Sequence, residues 1–108
     1  MKFQIKTLTD FDRELKRLSK KHKSLKQDVQ KLMETLQINP QFGTPLGDNL
    51  YKIRLSITSK GKGKSSGARV ITCLRILEDS VYMVYIYDKA EIDNISESKL
   101  VELAKNFK

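Results

Sequence analysis

The chain has 108 residues, 39 % of them hydrophobic, and carries 21 Lys+Arg against 13 Asp+Glu for a formal net charge of +8. That length suits one domain, 1–108, with a modest core, and the spread of Leu, Ile and Val excludes a disordered chain. No apolar run approaches the roughly 18–20 residues of a membrane span and no secretory signal core opens the chain, so the expected location is cytoplasmic and the positive balance points to a polyanionic partner.

Residues 2–6 alternate Phe3 and Ile5 with polar residues, which predicts a short strand. Thr9 is a candidate N-cap, with Asp10 and Asp12 in the first turn of a helix whose apolar face is Phe11, Leu15 and Leu18. Residues 20–23 (KKHK) read as the solvated basic end of that helix, with His22 at the surface. Ser24 followed by Gln27 is a capping-box pattern for a second helix. Its stripe is Leu25, Val29, Leu32, Met33 and Leu36, and Asn39-Pro40 ends it. The two helices form a hairpin whose combined stripe needs a sheet to cover. Residues 41–49, with Gly43, Pro45 and Gly47, read as a loop.

The stretch 50–74 organises the rest. Tyr51, Ile53, Leu55 and Ile57 alternate with Lys52, Arg54, Ser56 and Thr58, giving a strand with one apolar and one positive face. Lys60, Lys62 and Lys64 then alternate with glycines in a loop of bare backbone N–H groups and mutually repelling charges. Gly67 hands over to 68–77, nearly continuous apolar sequence of the kind a covered central strand needs. Antiparallel pairing of these strands brings Arg69 beside Lys52 and Arg54, a cluster of cations suited to a phosphate backbone. Cys73 lies in this apolar run and is the only cysteine, so no internal disulfide or cysteine-rich zinc site is expected. Residues 78–80 make a tight turn and 81–87 a third meander strand. Ser96 caps a last helix with Ile95 and Leu100 as a hydrophobic staple, and Leu100, Leu103, Ala104 and Phe107 form its buried face. The order β-α-α-β-β-β-α predicts an α+β domain, the two-helix hairpin and the C-terminal helix packed on a mainly antiparallel sheet.

With LYKIRL at 50–55, SKGKGKSSGARVI at 59–71 and VYIYDKAEIDNIS at 84–96, the chain resembles the RelE/ParE superfamily of toxins from type II toxin–antitoxin systems. It looks most like the HigB/RelE branch, and the resemblance covers almost the whole chain. It implies a RelE-like fold and a cognate antitoxin protein, acidic or carrying a helix-turn-helix domain. It further implies the ribosome and mRNA as partners, with no cofactor, no metal and no membrane. RelE-like members are metal-independent endoribonucleases that cleave mRNA in the ribosomal A site. ParE-like members inhibit DNA gyrase and are not nucleases. The catalytic residues implied are Lys52, Arg54, Arg69 and Lys89. The chain departs from the nuclease pattern at Ala90, where an arginine stands in the family enzyme, and at Ser96, where a tyrosine does.

Metal-free RNA cleavage lets a 2′-OH attack the adjacent phosphate and needs a base, positive charge on the phosphorane and an acid. Lys52 is the candidate base, because like charges around it favour the neutral amine. Arg54 and Arg69 suit phosphate clamping, and Lys89 suits the acid or a further stabilising charge. Glu91 is an alternative base, though a solvated turn residue is the simpler reading. Lys60, Lys62 and Lys64 read as an RNA grip. Among Tyr82, Tyr85 and Tyr87, Tyr87 is the best candidate for base stacking because it ends a strand. No P-loop, dinucleotide fingerprint, metal-ligand cluster or nucleophile–histidine–acid set is present. Two non-enzymatic readings stand beside the nuclease: a ParE-like gyrase inhibitor and a non-toxic basic RNA-binding module.

Overall fold

The alternation in 50–57 and the apolar run after Gly67 become neighbouring antiparallel strands in the computed structural model, which describes residues 2–60, 67–92 and 94–105. Strand β1 (Gln4–Thr7) leads into α1 (Thr9–Lys21) and α2 (Leu25–Ile38). Then come β2 (Thr44–Gly47), β3 (Leu50–Leu55), β4 (Ala68–Arg75), β5 (Ser80–Asp88) and α3 (Glu97–Lys105). The sheet order is β1-β5-β4-β3-β2. The β1–β5 pair is parallel and the other pairs are antiparallel. This is the expected α+β architecture with one more strand. Residues 44–47 pair antiparallel with β3 instead of forming a loop. Strand β2 is short, contains Pro45 and lies at an edge, where a missing donor is tolerated.

Each sheet face carries its own core. Odd positions of β3 and even positions of β4 join the hairpin in one cluster, which includes Phe11, Leu18, Leu25, Val29, Leu36, Ile53, Val70 and Ile86. Leu50, Ile71, Cys73, Val84, Tyr87, Ile95, Leu103 and Ala104 form the second cluster, beneath α3. Strand β4 is buried from Ala68 through Leu74, as a strand covered on both faces must be. Between Ile71 and Thr72 the β4–β5 register shifts, so Val84 has no cross-strand partner and lies with Tyr85 on the α3 side.

The local signals fared unevenly. Ser96 caps α3, its Oγ accepting from the Lys99 N–H at 3.1 Å. Thr9 lies inside α1 rather than at its cap, which falls on Leu8. Ser24 caps α2 in position only: its hydroxyl donates to Asp28 Oδ2 at 2.8 Å instead of accepting from the first turn. A cap contributes about 1 kcal/mol, whereas one fully buried Leu or Phe contributes about 1.5–3 kcal/mol, so the apolar stripes hold the hairpin without caps. Strand β4 stops at Arg75, and Ile76–Glu78 form a 3-10 turn that leaves Ile76 and Leu77 exposed. Among the described residues no helix is long and apolar enough to cross a membrane.

Candidate active site

The α3 face of the sheet carries the cationic residues. Arg54 of β3 lies directly opposite Arg69 of β4, which lies directly opposite Tyr87 of β5. Directly opposed residues of antiparallel strands share a face, and Lys52, two residues before Arg54, shares it too. The strand pairing therefore assembles Lys52, Arg54 and Arg69 as their spacing predicted. Lys52 Nζ donates to Asn94 Oδ1 at 3.3 Å. Among the described residues neither Lys52 nor Arg54 has a carboxylate partner. Arg54 is exposed, whereas Arg69 is only 5 % exposed and donates through Nη1 to the Ala68 carbonyl at 3.1 Å.

Tyr87 corrects the reading of a rim ring for base stacking. It is 2 % exposed, packed in the α3 cluster beside Tyr85, with ring centroids 6.4 Å apart. Burial pushes its phenol up, against the Ile95 backbone N–H and the Arg69 charge, which favour the phenolate. Its place is behind Arg69, as a wall of the site. Lys89 follows β5, and its N–H donates to the Gly67 carbonyl at 3.1 Å, which sets it at the same end of the sheet as Arg69.

The hairpin face holds a centre that sequence reading missed. Asp88 is fully buried. Its Oδ2 lies 2.9 Å from His22 Nε2 and 3.6 Å from Lys21 Nζ. Its Oδ1 accepts from the Ala90 N–H at 2.9 Å and lies 3.6 Å from Lys60 Nζ. Burial raises a carboxyl, but here the Ala90 N–H, His22 and the Lys60 charge outweigh it and hold Asp88 below the ordinary carboxylate range. Two expectations fail for this reason. His22 is buried rather than at the surface, because α1 ends against β5. Lys60 is held at Asp88 in a 3-10 turn, Thr58–Lys60, rather than displayed on a free loop. Lys62 and Lys64 lie outside the described residues, as does Phe107. Lone polar residues in a sequence give no sign of a partner 66 positions away.

Glu91 is no free base. Arg17 Nη2 donates to its Oε1 at 2.8 Å, and Lys21 Nζ lies 3.6 Å from its Oε2. The Arg17 hydrogen bond first of all holds its carboxyl below the ordinary range, against burial. Asp28 is a second overlooked anchor. Thr58 donates to it through the hydroxyl at 2.6 Å and the backbone N–H at 3.0 Å, tying the chain after β3 to α2. Ala90 is exposed, and Ser96 is committed to its cap. Among the described residues no group of three His, Cys, Asp or Glu side chains is placed to hold a metal ion.

The helical hairpin and the C-terminal helix pack on opposite faces of a five-stranded sheet that carries opposed arginines on neighbouring strands, and the chain belongs to the RelE toxin family. The family described as the RelE toxin of the RelE / RelB toxin-antitoxin system matches residues 4–108. Among solved structures the chain is similar to E. coli toxin RelE, as a double arginine-to-alanine mutant in the free state. The TM-score is 0.69 at 16 % sequence identity, with 100 % of each chain covered, a likeness of fold. The curated proteins include no significant match.

Proposed function

We propose that this RelE-family toxin is a ribosome-dependent mRNA endoribonuclease held inactive by a cognate antitoxin. The observation that carries the reading is the Arg54–Arg69 pair. Like charges directly opposed across a sheet are destabilising, and no carboxylate relieves Arg54 among the described residues. A local arrangement that works against stability is what a site for a polyanion requires. In the reaction Lys52 takes the proton of a 2′-OH. The 2′ oxygen attacks the adjacent phosphate while Arg54 and Arg69 hold its non-bridging oxygens through the phosphorane. Lys89 gives a proton to the departing 5′ oxygen, leaving a 2′,3′-cyclic phosphate and a 5′-OH. Every group invoked is a side chain of this chain, and the mechanism needs no metal.

Purified protein, dialysed against a chelator and then added to mRNA-programmed ribosomes, should cut the message at A-site positions. Cleavage that disappears on dialysis and returns only with added metal would contradict this mechanism. A second reading, a ParE-like gyrase inhibitor, is favoured by Ala90 and by the use of Ser96 as a helix cap. Inhibition of gyrase supercoiling with no ribosomal cleavage would select it.

A further inference from the structure

Four lysines on the helical hairpin stand apart from the cationic sheet face. Lys16, Lys20 and Lys23 follow one another at i, i+4 and i+7 along α1 and the turn after it, and Lys26 joins them from the first turn of α2. With Ser19 they line a shallow pocket of about 380 Å³. All four lysines are exposed, and none has an ion-pair or hydrogen-bond partner among the described residues. The contrast within α1 is sharp. Arg17 and Lys21, on the side facing the end of β5, are paired with Glu14, Glu91 and Asp88. The side bearing Lys16 and Lys20 makes no ion pair among the described residues, although like charges four apart on a helix destabilise it. At the same place the Ser19 hydroxyl oxygen is buried and has no hydrogen-bond partner among the described residues.

We infer that the Lys16–Lys20–Lys23–Lys26 pocket of the α1–α2 hairpin is a second binding surface, for the phosphate backbone of structured RNA. The pocket's lining is lysine and serine alone. An amphipathic partner helix or an inserted membrane face is held by apolar side chains, and none lines this pocket. Lysines on flexible stems suit sequence-independent phosphate contact, where each one released from the ion atmosphere adds affinity. The hairpin covers the opposite face of the sheet from Arg54 and Arg69. The two positive surfaces therefore meet different segments of RNA, and the hairpin surface acts independently of catalysis.

The test uses the full chain and a fluorescein-labelled RNA stem-loop of arbitrary sequence, with affinity read across a salt series. Combined Lys16→Gln, Lys20→Gln, Lys23→Gln and Lys26→Gln should weaken binding at least about tenfold at ~0.1 M salt. The slope of log affinity against log salt should become shallower by about three. Because the four side chains are exposed and the lysines repel one another, the thermal melt should not fall, and the four matching arginine substitutions should restore binding. An unchanged affinity and slope would overturn the inference, whether or not the chain cleaves mRNA. Tighter binding to polyglutamate or to anionic phospholipid vesicles than to the stem-loop would also overturn it. Loss of stem-loop binding in a chain that never cleaves mRNA would leave the inference standing and remove the nuclease reading.

Discussion

His22 Nε2 and Asp88 Oδ2 lie 2.9 Å apart in the interior, joining the residue after α1 to the last residue of β5. The same carboxylate receives Lys21, Lys60 and the Ala90 N–H, so one buried charge fixes the end of a helix, a turn and a strand exit. Removing one member of a buried charged set leaves the others unpaired and costs about 3–5 kcal/mol. Asp88→Ala should lose about that much, read from the urea midpoint. His22→Ala should lose less, about 1–3 kcal/mol, because Asp88 keeps its other partners. Losses below about 0.5 kcal/mol for both, the range of ordinary surface substitutions, would show that the centre does not hold the fold.

Acid should loosen the protein through named groups. Asp88, Asp28 and Glu91 are all held below their ordinary ranges in the folded chain. For Asp28, burial opposes the shift, and the Thr58 and Ser24 hydrogen bonds outweigh it. A depressed carboxyl stabilises the fold fully above its unfolded value, about 3.9 for Asp and 4.3 for Glu. That contribution is lost as pH falls through the folded value. Stability should therefore be flat in these groups near neutrality and fall below about pH 4. The double variant Asp28→Asn, Asp88→Asn should start less stable at pH 7 and lose less on acidification. Melting curves at pH 7, 5 and 3 of about equal spacing for variant and parent would refute the assignment.

Arg54 and Arg69 should separate stability from activity. Arg54 is exposed and opposes a like charge, so Arg54→Thr should stabilise the sheet by about 0.2–1 kcal/mol while lowering ribosomal cleavage. Arg69→Ala should cut the single-turnover rate by roughly two to three orders of magnitude, the effect of removing one donor to a developing oxyanion. Arg69→Lys should recover only part of that, since an ammonium does not hold two oxygens as a guanidinium fork does. Full cleavage by Arg69→Ala would remove this residue from the mechanism.

Gly67 should resist substitution for a reason of space rather than backbone angle. A Cβ there would run into the carbonyl oxygen of Leu55, and backbone of a paired strand has little freedom to retreat. Gly67→Ala should cost about 1–3 kcal/mol, the range for overpacking. It should also lower cleavage, because β4 and Arg69 begin directly after this contact. A neutral effect on both the melt and the rate would mean that the strand ends part freely.

Much of the fold was legible because it rests on period. The Phe11-Leu15-Leu18 and Leu25-to-Leu36 stripes, the alternation in β3 and the continuous apolar run of β4 each repeat over enough residues to outweigh local noise. The cationic face was legible for the same reason: Lys52 and Arg54 share a parity, and a meander must lay Arg69 beside them. Strand β2 was not, since four residues with Pro45 and Gly47 carry turn chemistry and become a strand only through pairing with β3.

Spacing along the chain alone set every element but β2, the two-faced β3 and β4 and the cluster of positive charge. Only the closed chain settled that His22 and Lys60 converge on Asp88, that Tyr87 is a wall rather than a platform, and which basic residues of α1 find acids. Those outcomes depend on distances between residues as far as 74 positions apart, and no local pattern encodes a charge's partner until the chain has closed around it.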